Sequence, residues 1–94
     1  MLSQSYLITE AKAWIKRKSG TNEVVKIIPD FETSKAVLTY LLYTAYEEQP
    51  EYRGRILFDQ QGYWIYDGDD LAVVEQEQVA RFIIQHIENY EKDH

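Results

Sequence analysis

Among the 94 residues there is no cysteine, and glycine, proline and methionine occur only four, two and one times. The missing cysteine excludes a disulfide framework, a thiolate metal site and a cysteine nucleophile. The glycines, Gly20, Gly54, Gly62 and Gly68, stand alone, so no glycine-rich loop of backbone N–H groups is available to cradle phosphate. No stretch approaches the roughly 18 apolar residues of a membrane span, and residues 1–10 lack the basic flank and apolar run of a leader. A cytoplasmic protein without membrane association is the expectation.

Catalytic constellations are also missing from the sequence. Histidine occurs only as His86 and His94, so no H-E-x-x-H and no i, i+4 pair is present for zinc. No G-x-S-x-G elbow presents a serine nucleophile. The cluster Asp67, Asp69 and Asp70 suggests calcium, but an EF-hand count from Asp67 puts Leu71 at a ligand position, Ala72 where the turn needs glycine, and Gln78 in place of the bidentate glutamate. A solvated turn is the better reading. His86, on an apolar stripe with Phe82, Ile83 and Tyr90, reads as an edge-of-core residue. No cofactor, no metal and no enzymatic activity are expected.

Apolar residues make up 45% of the chain and charged residues 28%, a balance that supports one folded domain over residues 1–94. The net charge of −6 opposes binding to nucleic-acid backbone, which depends on Lys and Arg displacing counterions. The acidity is concentrated: residues 1–46 carry six Lys/Arg against four Asp/Glu, and residues 47–94 carry four against twelve. Lys12, Lys16, Arg17 and Lys18 form a short basic patch beside Trp14 that also suits the exposed side and last turn of a helix.

The expected fold is α+β, a small and mainly antiparallel sheet packed by about three helices. The spacing of Leu7, Ala11, Trp14, Ile15 and Lys18 predicts a helix over about 5–18, ending at Gly20; a strand over Ala13 to Arg17 is the alternative. Residues 23–28 read as a strand. Ser34, Val37, Leu38, Leu41, Leu42 and Ala45 predict a helix over about 31–48, with Asp30 as its N-cap. Residues 55–59 and 63–67 form a hairpin; with Gly62 left-handed, Phe58 meets Trp64, Leu57 meets Ile65, and Ile56, Phe58, Trp64 and Tyr66 share a face. Residues 71–74 extend a three-stranded meander or begin the last helix, expected at about 75–91.

Two groups of aromatic residues suggest function. On the expected central helix, Ala36, Tyr40, Tyr43 and Tyr46 lie away from the aliphatic stripe. Tyrosine there suits a protein interface, since it joins a large apolar body to a polar tip. Cover by another helix or by a second copy of the chain explains the same residues equally well. Phe58, Trp64 and Tyr66 outline a conceivable small-ligand pocket, ranked below a protein partner. The leading expectation is a small non-enzymatic protein-binding module, a regulator, inhibitor, immunity-type or accessory factor, that binds a protein partner or itself and is steered by its acidity toward a basic partner. The alternatives are a nucleic-acid mimic acting on a nucleic-acid-binding protein, and a small-molecule binder or weakly signalled enzyme.

Overall fold

A computed structural model describes residue 7, residues 9–30 and residues 38–92, the last eight of these by backbone alone. Five strands, β1 (Ala11–Lys16), β2 (Asn22–Asp30), β3 (Leu38–Thr44), β4 (Tyr52–Phe58) and β5 (Trp64–Asp67), precede one helix, α1 (Val73–Lys92). The strands form an antiparallel sheet in sequence order, β1-β2-β3-β4-β5, so each strand pairs with its chain neighbours. The expected small sheet under three helices is therefore replaced by a five-stranded meander under α1, the only helix among the described residues.

Both discarded helices fail for identifiable reasons. Along Ala11-Lys12-Ala13-Trp14-Ile15-Lys16 burial alternates with period two. The strand buries Ala13 and Ile15 and exposes Lys12, Trp14 and Lys16. The turn Arg17–Thr21, closed by Arg17 N–H on Thr21 C=O at 2.7 Å, sets Ala13 against Val25 and pulls the segment into the sheet. The strand alternative for Ala13 to Arg17 is thus the one realised, through Lys16. In β3 the run Leu38-Thr39-Tyr40-Leu41-Leu42-Tyr43-Thr44 is buried or half-buried throughout. Flanked by β2 and β4, this central strand carries large side chains on both faces and lacks a clean polar alternation, so its apolar positions fit a helical template by coincidence. Residues 31–37, the first part of that expected helix, lie outside the described residues.

The hairpin meets its expected register: Phe58 pairs with Trp64, Leu57 with Ile65 and Ile56 with Tyr66, with Gly62 at φ 91°. Asp59 C=O accepts from Gly62 N–H, and Asp59 N–H donates to Tyr63 C=O, closing the loop. Residues 71–74 are not a strand. Leu71 is buried, and Ala72 precedes α1, its C=O accepting from Glu75 and Gln76 N–H and its own N–H donating to the Glu75 carboxylate, so the helix begins at Val73. Pro29 is tolerated inside β2 because β1 pairing ends at Ile27, so its missing N–H faces no strand among the described residues.

The core lies between α1 and one face of the sheet. Val79, Ala80 and Ile83 pack with Ala13, Ile15, Val25, Ile27, Leu42, Ile56 and Phe58. Tyr40 belongs to this layer too: its ring meets Phe58 edge-on at 5.8 Å, and its hydroxyl donates to Leu7 C=O at 2.8 Å. Two connections hold α1 in place. Gln78 accepts from Lys16 N–H (2.7 Å) and donates to Lys16 C=O (2.8 Å), pairing with the edge strand as another strand would. Glu75, only 3% exposed, takes N–H groups from Lys18 and Ala72 and the Arg17 guanidinium.

Candidate functional site

Because α1 covers one face of the sheet, attention moves to the other. Strand pairing places Lys12, Lys26, Tyr43 and Tyr52 in one row across that outer face. The parallel row Ile28, Leu41, Arg55 and Asp67 lies beside it. A bulge shapes the first row: Leu42 pairs with Gly54 but Tyr43 with Tyr52, leaving Arg53 as the extra residue. The shift brings Tyr52 onto the face of Tyr43, where the rings lie 5.5 Å apart and tilted by 59°. Burial pushes the Tyr52 phenol above its ordinary range, and a phenol is a hydrogen-bond donor at neutral pH.

Tyr46, just beyond β3, holds a left-handed backbone (φ 65°), uncommon for a bulky residue. It is 81% exposed, and Lys12 Nζ stands 5.7 Å from its ring centroid, which ties it to the outer side. Glu47, Glu48 and Glu51, all exposed, surround Tyr46 and Tyr52 in the chain. The result is an aromatic patch with Glu47 and Glu48 exposed beside it in the chain, Glu51 paired with Arg53 at 3.4 Å, and Lys12 and Lys26 in its own row. Trp14 and Ile65, 74% and 65% exposed, lie on the same face, in the two edge strands β1 and β5.

The tyrosines expected on one helical face are divided by the strand geometry. Tyr40 is buried in the core, Tyr43 and Tyr46 reach the outer side, and Ala36 lies outside the described residues. Phe58, Trp64 and Tyr66 do share a face, but it is the core face: Phe58 is buried and the other two pack against the core. Tyr66 lies over Gly54 and Gly68, with its hydroxyl donating to Arg53 C=O and accepting from Asp70 N–H. An open depression of about 240 Å³ does exist, lined by Leu57, Asp59, Tyr63, Trp64 and Ile65 at the β4–β5 turn. It shares only Trp64 with the expected set and is smaller than the ~300–1,000 Å³ usual for ligand sites.

Several charged residues singled out in the sequence are absorbed by the fold. Asp67 pairs with Arg55 (2.8 Å) and Asp70 with Arg53 (3.2 Å), and no group of three His, Asp or Glu among the described residues could hold a metal. Glu23 lies between Arg17 (2.7 Å) and Arg53 (3.2 Å). The basic patch also divides: Arg17 turns into the network at the helix N-terminus, while Lys12 and Lys16 stay exposed beside Trp14. The side chain of His86 lies outside the described residues.

Trp14, Tyr52 and Ile65 were missed as surface candidates. Trp14 and Ile65 were legible once their segments were read as strands, because alternation turns them away from Ala13, Ile15, Trp64 and Tyr66. Tyr52 was not, since its orientation depends on the bulge. Compared with known proteins, the chain matches no family model, no curated protein and no solved structure.

Proposed function

We propose that this protein is a non-enzymatic protein-binding module that engages a basic partner through the outer face of its sheet. The observation that carries this reading is the patch of Tyr43, Tyr46 and Tyr52, turned away from α1 and accompanied by Glu47, Glu48 and Glu51. Such a patch supplies apolar, low-entropy anchors at its centre, while carboxylates around it steer and orient a positively charged surface. The Tyr52 hydroxyl adds a hydrogen-bond donor within the patch.

The test is capture of a partner from native lysate followed by titration of the purified pair, comparing wild type with Tyr46→Ala/Tyr52→Ala. The partner should be basic, the variant should bind at least about tenfold more weakly, and the association rate should fall as salt rises. Equal affinity for both proteins rules out this face. A rate indifferent to salt removes the electrostatic part.

A further inference from the structure

We propose that two copies of the chain pair antiparallel through β1, with the twofold axis at Ala13, to make one continuous ten-stranded sheet. The β1 edge has a defined length. Ala11, Ala13 and Ile15 direct their peptide groups toward β2, so those of Lys12, Trp14 and Lys16 face outward. Gln78 already occupies both groups of Lys16. The outward N–H and C=O groups of Lys12 and Trp14 remain open at this edge among the described residues, an arrangement that templates another strand.

Side-chain chemistry selects the occupant and the register. With the axis at Ala13, Lys12 faces Trp14 of the second copy and Trp14 faces its Lys12. All four open peptide groups per copy are then used, and each ammonium is placed beside an indole. Pairing ends before Lys16, whose outward groups Gln78 keeps, so the second copy's chain leaves the edge at Glu10, a residue held by Lys26 at 3.9 Å within its own copy. On the core side Ala13 meets Ala13, small enough for close approach. The neighbouring registers lack this match. An axis at Trp14 needs the peptide groups that Gln78 holds and sets Lys12 against Lys16; an axis at Lys12 sets that lysine against itself. Like charges directly opposite in a sheet are destabilising. The pairing is isologous and closes at two copies. It also covers Trp14, the most exposed apolar side chain of β1, at 74%.

The tyrosine patch lies toward β3 and β4 and stays open in the dimer; the two share only Lys12, whose ammonium exchanges the Tyr46 ring for the indole of the second copy. Light scattering from micromolar to millimolar protein should show a dimer, and hydrogen exchange at the Lys12 and Trp14 amides should slow as concentration rises. Trp14→Lys, which opposes Lys12 with a second lysine, should raise the dimer dissociation constant at least about tenfold. Register is read by cross-linking. In a non-hydrogen-bonded antiparallel pair the Cα atoms lie about 4.5 Å apart, within disulfide range, so Ala13→Cys should oxidise to a covalent dimer and Lys16→Cys should not. A wild-type monomer at millimolar concentration, or exchange at Lys12 and Trp14 indifferent to concentration, overturns the proposal. So does a dimer that Trp14→Lys leaves intact. If those two amides are protected in a monomer by another protein's strand, the edge has a different occupant and self-pairing is wrong.

Discussion

Gly54 shows how much one position can carry. Its φ of 106° lies in the region that L side chains rarely adopt, and an added Cβ would sit 2.5 Å from Tyr66 Oη and 2.7 Å from Tyr66 Cζ. Gly54→Ala should therefore strain the backbone and displace a ring whose hydroxyl bridges Arg53 and Asp70, lowering stability by about 2–4 kcal/mol in chemical denaturation. Glu75 gives a pH signature. Burial raises its carboxyl pKa, but the N–H groups of Lys18 and Ala72 and the guanidinium of Arg17 outweigh burial and leave it below the ordinary value. A carboxylate lowered in the folded state stabilises above its unfolded pKa, and that contribution is lost as pH falls through the folded value. Glu75→Gln should cost about 1–3 kcal/mol at neutral pH, less than a fully buried pair because Arg17 is partly exposed. The gap to wild type should close in urea titrations below about pH 4.

The attachment of α1 to the edge of β1 is a matter of two hydrogen bonds and a short apolar stripe. Gln78→Ala removes both bonds to Lys16, and at roughly 0.5–1.5 kcal/mol each it should destabilise by about 1–3 kcal/mol and speed hydrogen exchange at the Lys16 amide. Unchanged exchange there would show that the helix does not guard the edge. The legibility of the elements differed for related reasons. The hairpin was readable to the residue because Asp59 and Gly62 specify a local turn that sets the register. The last helix was readable because Val79, Phe82, Ile83 and Ile87 repeat over several turns. For β3, local spacing was uninformative: Leu38, Leu41 and Leu42 satisfy a helical template, and only partners on both sides make the strand. Of the interface expected there, Tyr43 and Tyr46 reach the outer face, and Tyr40 is lost to the core because one-residue steps alternate faces in a strand.

The proposed function divides the work of the molecule between its two sides. Stability should reside on the side that α1 covers and recognition on the other. Ile83→Ala, in the core, should cost about 2–5 kcal/mol, whereas Tyr46→Ala should change stability by less than about 0.5 kcal/mol. Comparable losses in thermal denaturation would contradict that division. Composition was enough to establish the lack of thiol chemistry and of a glycine-rich phosphate loop, the acidic second half and a core-forming fraction of apolar residues, because these depend on which residues are present and not on where they meet. Short-range patterns added the β4–β5 hairpin and α1. Sheet order, the strand identity of β1 and β3, the bulge that turns Tyr52 beside Tyr43, and the open stretch of β1 were decided only in three dimensions. Each depends on hydrogen bonds and buried contacts between strands, which exist only once the partner strand is in place, even where a short turn joins the two as it does β1 and β2.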